Sequence, residues 1–265
     1  MALEPAMSPV ASRLNRLWRI AATGFCFSLF GLGGLLLSLV WFNLLLIFIR
    51  NSVARRRIAR RSISLSFRFF LRIAALLGAL DYRFYGLNRL RQDEGCLVVA
   101  NHPSLLDYVL IASVMPETDC MVKSTLLKNP FVSGVIRSAD YLLNDEAGSL
   151  LPHSLERLSR GDSILIFPEG TRTRPGEPMK LQRGAANIAV RCSSDVRIVT
   201  ISCSERMLDK QSKWYDVPAI KPIFTVNVGE KIAIDRFINA EQQEPAIAAR
   251  RLNRHLLCKL QANPE

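Results

Sequence analysis

Apolar residues are concentrated near the start of the chain. Residues 20–49 form an unbroken stretch of thirty positions without a formal charge. About twenty apolar residues are enough to cross a bilayer as a helix. The stretch is too long for the apolar region of a signal peptide, and no small-residue cleavage site closes it. The pattern therefore predicts an N-terminal helical membrane anchor.

The length of this stretch leaves two arrangements of the anchor open. Thirty helical residues span about 45 Å, which exceeds the roughly 30 Å hydrocarbon core of a bilayer. A straight helix would tilt and project from the membrane. A bend at the glycines of residues 31–34 would instead give a re-entrant hairpin with both ends on one side.

A second apolar segment, residues 62–80, is interrupted by Arg68 and Arg72. Side chains four positions apart share one face of a helix, so the segment is predicted to be an amphipathic helix. It would either lie on the membrane surface or pack on the domain that follows. In both cases we assign residues 1–80 to the anchor.

From residue 81 onward, short β-rich runs alternate with helical periodicity. Strands are predicted at 82–86, 96–100, 163–167, 197–202 and 223–229. Helices are predicted near 104–114, 150–160, 184–192 and 245–260. This alternation is typical of an α/β fold with a mixed, largely buried sheet flanked by helices. We assign residues 81–265 to this domain.

The charge of the chain is concentrated beside the anchor. The formal net charge is +12, and residues 1–80 hold eleven arginines and one glutamate, which leaves only +2 for the rest. Basic residues that flank an apolar span favour anionic lipid headgroups as partners and argue against nucleic acid. Because the arginines after the span are denser than those before it, the following domain is predicted to lie on the cytoplasmic face.

The six cysteines give a hint about the compartment. They show no C-x-x-C pair and no spacing typical of metal ligands. Scattered cysteines in apolar surroundings predict buried thiols in a reducing compartment, with neither a disulfide framework nor a metal site.

Candidate chemistry first occurs where the strand at 96–100 ends. Asn101, His102 and Pro103 follow the strand, and Ser104 and Asp107 have the spacing of a helix capping box. Asp107 would then face back toward His102 and hold one imidazole nitrogen, which leaves the other free to take a proton. No serine nucleophile is apparent, so the deprotonated hydroxyl would belong to the substrate. The alternatives are a simple helix cap and a structural histidine.

A second junction lies about sixty residues further on. The strand at 163–167 runs into Pro168, Glu169 and Gly170, and Arg172 and Arg174 follow. Glycine allows the backbone to approach a ligand closely, and an arginine just past a strand end suits a phosphate or a carboxylate. Taken alone, the Pro-Glu-Gly sequence predicts only a turn.

Together the two junctions resemble the glycerolipid acyltransferase family, which contains the bacterial 1-acylglycerol-3-phosphate acyltransferases. The NHxxxxD motif of the family is matched by Asn101, His102 and Asp107, and its FPEGTR motif by residues 167–172. Two further segments are similar, residues 122–134 through Lys123, Pro130 and Gly134, and residues 182–189 through Arg183, Gly184 and Ala185.

The resemblance implies a membrane-bound O-acyltransferase. His102 would be the general base on the acceptor hydroxyl, and Asp107 would orient it. The acyl donor would be a thioester of acyl carrier protein or coenzyme A, with no other cofactor and no metal. The acceptor would be a lysophospholipid, and the setting would be a bacterial-type inner (cytoplasmic) membrane. The residues implied in substrate binding are Asn101, Lys123, Glu169, Gly170, Thr171, Arg172 and Arg183.

Two departures from the family pattern concern the acceptor. Where the family has a basic residue that helps to hold the acceptor phosphate, this chain has Asn144, Asp145 and Glu146, and Thr200 replaces a common proline. Three hypotheses follow. The first is synthesis of phosphatidic acid from 1-acylglycerol-3-phosphate. The second is O-acylation of a different hydroxylated lipid that lacks the glycerol phosphate. The third is a non-catalytic membrane-binding protein.

Overall fold

A computed structural model describes residues 9–143, 147–174, 176–238 and 244–262. The chain begins with helix α1 (Pro9–Leu36), which continues through a short π-helical segment (Leu37–Trp41) into α2 (Phe42–Phe48). Because the helix continues through residues 31–34, it does not end or turn back at the glycines. By length and composition alone, Arg13–Phe48 is able to cross a membrane, with a mean hydropathy of 2.1 in its apolar window.

Helix α3 (Ser52–Leu76) runs antiparallel to this first helix. Its start is capped by the side chain of Asn51, which accepts from Ala54 N. At one end of the pair, the indole N–H of Trp18 donates to the carbonyl oxygen of Leu77 at 2.9 Å. At the other end, the indole N–H of Trp41 donates to Ser62 Oγ at 3.0 Å. Residues 9–76 therefore form a helical hairpin, called the N-terminal hairpin below.

Arginines of α3 bind the rest of the protein. Arg60 is buried and forms a 2.6 Å ion pair with the buried carboxylate of Asp119. Arg56 pairs with Asp162 at 3.1 Å, and Arg68 donates two hydrogen bonds to the carbonyl oxygen of Ser113. For Arg56 and Arg60, which belong to the arginines that flank the apolar span, the expectation of lipid headgroup partners was wrong, because carboxylates of the chain itself hold them. For Arg68, packing on the domain is the correct alternative.

A mixed seven-stranded sheet forms the centre of the α/β part. The strands are β1 (Asp81–Tyr85), β2 (Leu97–Ala100), β3 (Asp119–Val122), β4 (Leu142–Leu143), β5 (Ile164–Ile166), β6 (Val196–Cys203) and β7 (Ile223–Ile232). Their order is β1-β7-β6-β2-β5-β3-β4. All neighbours pair in parallel except β6 and β7. The predicted fold class is confirmed.

The remaining helices cover both faces of the sheet. They are α4 (Leu87–Arg91), α5 (Asp107–Val114), α6 (Pro130–Ala139), α7 (Ala147–Ser159), α8 (Gly184–Arg191), α9 (Asp235–Ile238) and α10 (Pro245–Gln261), and a 3-10 turn spans Ser124–Lys128. Alternate side chains of β2 point to opposite faces. Val98 packs in a core with α3 and α5, whereas Val99 packs in a core with α8 and α10.

The cysteines are free, but they are less buried than the sequence predicts. Cys26, Cys96 and Cys120 are buried, whereas Cys192 and Cys203 are half-buried and Cys258 is exposed. The prediction of six buried thiols was therefore wrong for three of them. Cys258 lies on the solvent face of the amphipathic helix α10.

Gly134 allows α6 to touch the π-helical segment of the hairpin. A Cβ atom at this position would lie 2.3 Å from the carbonyl oxygen of Ser38. We expect Gly134→Ala to destabilise the protein by about 1–3 kcal/mol, because backbone must move to relieve the overlap. The measurement is the Tm in detergent. The control is Gly31→Ala, where a Cβ meets nothing within 4 Å and the Tm should not fall. An unchanged Tm for Gly134→Ala would contradict the close packing.

Candidate active site

The candidate residues meet at one edge of the sheet. Strands β2, β5 and β3 are neighbours and run in parallel, so their carboxyl ends lie at the same edge. Residue 101 follows β2, residue 167 follows β5 and residue 123 follows β3. The two junctions that the sequence singled out are therefore adjacent, at the edge where open α/β sheets bind their ligands.

His102 and Asp107 form a hydrogen-bonded pair. Nδ1 of His102 lies 2.8 Å from Oδ2 of Asp107. The carboxylate is fully buried, whereas 23% of the imidazole side chain is exposed. No described residue bonds Nε2 of His102. One ring nitrogen is thus fixed by a carboxylate, and the other is free to face a substrate.

The backbone around Asp107 explains its position. Helix α5 begins at Asp107, and the carboxylate reaches back to accept from Ser104 N at 2.7 Å and from Ser104 Oγ. The predicted contact between Asp107 and Ser104 is formed, although the helix starts three residues later than expected and has Leu106 at its N-cap position. Burial raises the pKa of Asp107, and the hydrogen bonds from His102 and Ser104 oppose that rise. These donors favour the ionised carboxylate that orients the imidazole.

Residues of the second junction contact both the side chain and the backbone of His102. The ring of Phe167 stacks on the imidazole of His102 with centroids 4.5 Å apart. Glu169 is buried, and its Oε1 accepts from the backbone N–H of His102 at 2.6 Å. Burial raises the pKa of Glu169, and the nearby Thr173 side chain and the bond from His102 N–H oppose that rise. Thr173 N also donates to the carbonyl oxygen of His102 at 3.0 Å. Both backbone polar groups of His102 are therefore held by this junction.

Asn101 holds the first junction against β6. Its side-chain amide donates to the carbonyl oxygen of Ile201 at 2.8 Å, and its oxygen accepts from Ile201 N at 2.6 Å. Both polar ends of the side chain are used within the chain, so this geometry gives Asn101 a positioning role. Its predicted contact with substrate stays a prediction.

Gly170 and Thr171 form the exposed turn of the second junction. Gly170 has a φ of 69°, a left-handed conformation that favours glycine, and its N–H donates to the carbonyl oxygen of Phe167. The need for glycine is thus conformational. The N–H groups of Thr171 and Arg172 donate to no residue in the described part of the chain.

The three predicted binding cations differ in their surroundings. Arg172 is half-buried and donates Nη1 to the carbonyl oxygens of Leu208 and Asp209, at 3.1 and 2.9 Å. Lys123 is exposed directly after β3, and Arg183 is exposed directly before α8. Neither Lys123 nor Arg183 forms an ion pair within the described ranges. One guanidinium nitrogen of Arg172 thus supports the fold, whereas Lys123 and Arg183 have no ion-pair partner among the described residues.

The segment around Leu208 also holds the site together, and it was not predicted from the sequence. The carbonyl oxygen of Leu208 accepts from Leu105 N at 3.0 Å as well as from Arg172. Leu208 has a φ of 55°, which is rare for a residue that is not glycine. No local sequence signal marks this position. A long connection between two strands was the only indication, because such loops commonly carry function.

An apolar cavity lies beside the start of α5, which follows the loop of His102. Its volume is about 170 Å³, and its lining includes Leu105, Leu106, Met207, Leu208, Phe30 and Phe70. The hairpin therefore supplies one wall and the site the other.

Of the two departures from the family pattern, Thr200 lies within β6 opposite Asn227. Residues 144–146 lie outside the described residues.

Comparisons with known proteins agree on one family. The sequence model of the acyltransferase family matches residues 81–204. A 1-acyl-sn-glycerol-3-phosphate acyltransferase of Helicobacter pylori is 35% identical over 100 residues, which are 35% of this chain and 42% of that protein. The enzyme of the same name from Pseudomonas aeruginosa is 26% identical over 46% of this chain and 50% of that protein. The chain thus spans about half the length of these curated relatives.

A solved structure has the same fold. It is the crystal structure of the 1-acyl-sn-glycerophosphate acyltransferase from Thermotoga maritima, with a TM-score of 0.65 and 19% sequence identity. The match covers 94% of this chain and 99% of that one. At this identity the likeness shows the fold alone.

Proposed function

We propose that this chain is a membrane-bound acyltransferase of the glycerolipid acyltransferase family, because residues 81–204 match the acyltransferase family model and its relatives include enzymes named 1-acyl-sn-glycerol-3-phosphate acyltransferase. The proposed reaction moves a fatty acyl group from a thioester of acyl carrier protein or coenzyme A to the hydroxyl of 1-acylglycerol-3-phosphate and gives phosphatidic acid. The observation that carries the proposal is the contact between His102 and the buried Asp107. No further cofactor takes part.

The pair supplies a general base. With Nδ1 held by Asp107, the lone pair of Nε2 accepts the proton of the acceptor hydroxyl as its oxygen attacks the thioester carbonyl carbon. The tetrahedral intermediate then collapses, the C–S bond breaks, and the imidazolium returns the proton to the leaving thiolate. Asp107 stabilises the imidazolium during this step. The substrate provides the nucleophile, so no serine or cysteine of the chain is required.

The second junction is proposed to stabilise the oxyanion of the intermediate. The free N–H groups of Thr171 and Arg172 lie on the turn that follows the stacked Phe167 ring. Backbone donors that are fixed before reaction stabilise developing negative charge without reorganisation. Glu169 and Thr173 fix this turn against the backbone of His102. In this arrangement the base and the oxyanion donors keep a constant separation.

The hairpin is proposed to hold the enzyme on its lipid substrates. Large apolar side chains are exposed along the whole first helix, from Leu14 through Phe30 to Phe48. Because the helix lies alongside α3, which packs on the domain, its exposed face and the site belong to one rigid surface. The apolar cavity at Leu105 and Leu106 would receive part of an acyl chain. In a bacterial cell the domain would lie on the cytoplasmic face of the inner membrane.

Lys123 is proposed to bind the acceptor phosphate. We expect Lys123→Ala to raise the KM for 1-acylglycerol-3-phosphate by about 10- to 100-fold, because a hydrogen bond to a charged group is lost. The Tm should not change, since Lys123 is exposed and unpaired in the described part of the protein. Steady-state kinetics at varied acceptor concentration measure the effect. Lys128→Ala, on the same exposed 3-10 turn, is the control, and equal KM values for both variants would refute the role.

A second acceptor class is favoured by two observations. Arg172, the cation of the FPEGTR motif, already donates to the carbonyl oxygens of Leu208 and Asp209, and the family cation near residue 144 is absent from the sequence. A hydroxylated lipid without the glycerol phosphate is therefore the alternative acceptor. It would be supported if such a lipid had a higher kcat/KM than 1-acylglycerol-3-phosphate.

The proposal is tested by acyl transfer in detergent. The purified protein is incubated with acyl carrier protein or coenzyme A thioesters and 1-acylglycerol-3-phosphate, with and without a chelator. Phosphatidic acid formed by the native protein, and not by a folded His102→Ala variant, is the expected result. Binding to vesicles without transfer to any lysolipid or other hydroxylated lipid would favour the non-catalytic alternative.

A further inference from the structure

The connection between β6 and β7 exposes a cluster of large apolar side chains. Residues 210–220, called the aromatic loop below, carry Trp214, Tyr215 and Ile220, which are 47%, 42% and 67% exposed. The indole N–H of Trp214 has no hydrogen-bond partner among the residues that the structure describes. The catalytic mechanism uses none of these three side chains.

The aromatic loop is fixed to the first helix of the hairpin. A Cβ atom on Gly24 would lie 3.1 Å from the Trp214 ring, so the ring rests closely against the helix at this glycine. Arg19 is buried and donates to the carbonyl oxygens of Pro218 and Ala219. Residue 20, where the uncharged stretch starts, lies one turn from Gly24. The exposed aromatic side chains therefore continue the apolar surface of the helix.

Cations surround this surface. Arg13 and Arg16 are exposed on the same helix, and Lys210 and Lys213 are exposed in the loop. None of the four forms an ion pair within the described ranges. Lys213 lies over the ring of Tyr215 at 5.5 Å. Unpaired cations beside exposed aromatic rings match an anionic, amphipathic ligand, in which charged groups lie above an apolar layer.

The base of the loop touches both junctions of the active site. The carbonyl oxygen of Leu208 accepts from Leu105 N and from Arg172, and that of Asp209 accepts from Arg172. The exposed start of the loop, Lys210, thus directly follows the buried support of the site. Because these bonds connect the loop to the active site, a ligand that binds the loop also sets how far the active site lies from that ligand.

We propose that the aromatic loop is a second membrane-docking element, separate from the hairpin, which inserts at the headgroup level of an anionic bilayer. Tryptophan and tyrosine favour this level because each ring has an apolar body and a polar group. Docking there places the mouth of the His102 site at the surface from which a lipid acceptor is drawn. The inference rests on the proposed membrane function, and its test separates the two.

The test uses the three tryptophans of the chain, Trp18, Trp41 and Trp214. A Trp18→Phe, Trp41→Phe variant of the full chain leaves Trp214 as the reporter, and a Trp18→Phe, Trp214→Phe variant leaves Trp41 in the hairpin. Each is reconstituted into vesicles of phosphatidylcholine and phosphatidylglycerol, either unmodified or brominated near the headgroup or deep in the acyl chain. We expect Trp214 to be quenched more by the shallow bromines than by the deep ones.

Other outcomes separate the two proposals. Quenching of Trp41 without quenching of Trp214 overturns the loop proposal and leaves the hairpin as the anchor. Quenching of neither reporter overturns both. A change in Trp214 emission on adding acyl carrier protein, with no quenching in vesicles, overturns the proposal in favour of a protein partner. Lys210→Gln, Lys213→Gln should reduce the shallow quenching, and equal quenching in neutral vesicles would overturn the anionic assignment.

Discussion

Replacing His102 by alanine is expected to lower kcat by about 10²- to 10⁴-fold, the usual contribution of a positioned general base. The acceptor KM should change little, because the imidazole acts in the transition state and not in ground-state binding. The Tm should stay near that of the native protein, since Nδ1 is the one ring nitrogen that a described residue bonds. The measurement is initial-rate kinetics with a thioester donor in mixed micelles.

The matched control for this prediction is His153→Ala. His153 is exposed on α7, on the helix layer opposite the hairpin, and its loss should leave kcat unchanged. A His102→Ala protein that keeps more than about a tenth of the native kcat would contradict the role of general base. Phe167 and Asp107 would then merely hold a structural histidine at the strand end.

Replacing Asp107 by asparagine is expected to lower kcat by about 10²- to 10⁴-fold as well. In the serine-hydrolase triad the equivalent change costs about 10⁴-fold because the imidazole adopts the wrong tautomer. An asparagine amide facing Nδ1 would leave the proton on Nε2, which then has no lone pair for the acceptor hydroxyl. The measurement is kcat, with the Tm as the measure of folding.

Ser104→Ala is the control that separates orientation from capping. Ser104 bonds the same carboxylate through N and Oγ but does not touch the imidazole. Its replacement removes part of the cap, so it should lower the Tm modestly and leave most of kcat. If Asp107→Asn lowered the Tm and not kcat, in parallel with Ser104→Ala, the carboxylate would be a cap alone.

The strongly patterned elements of the fold were predictable from the sequence. Strand β2, predicted at 96–100, is observed at Leu97–Ala100, and α8, predicted at 184–192, is observed at Gly184–Arg191. Strand β4 has two residues and carries no usable periodicity. Helix α6 was missed although Asn129 and Pro130 give a clear start signal. The antiparallel pairing of β6 and β7 depends on contacts distant in sequence.

The reactive pair of the site was predictable, and its support was not. His102 and Asp107 are five positions apart and are joined by a local cap, so spacing alone predicts their contact. Glu169 and Arg172 were predicted to bind the acceptor, but their observed bonds run to the backbone of His102 and of Leu208. Such contacts join a side chain to backbone that is distant in sequence. They depend on how the loops pack together, and the type of residue does not reveal that packing. The predicted domain boundary at residue 80 stays a prediction.

The ion pair between Arg60 and Asp119 has a consequence for how this protein can be handled and how it can evolve. A version that starts at residue 81 would uncover the faces of α5 and α6 on which α3 packs. It would also leave a buried carboxylate with Arg157 as its neighbouring cation, at 3.5 Å. Losing one partner of a buried pair costs about 3–5 kcal/mol. Removal of residues 1–80 is therefore expected to leave an unstable remnant, and an anchor that replaced this one would need to keep the ion pair between Arg60 and Asp119.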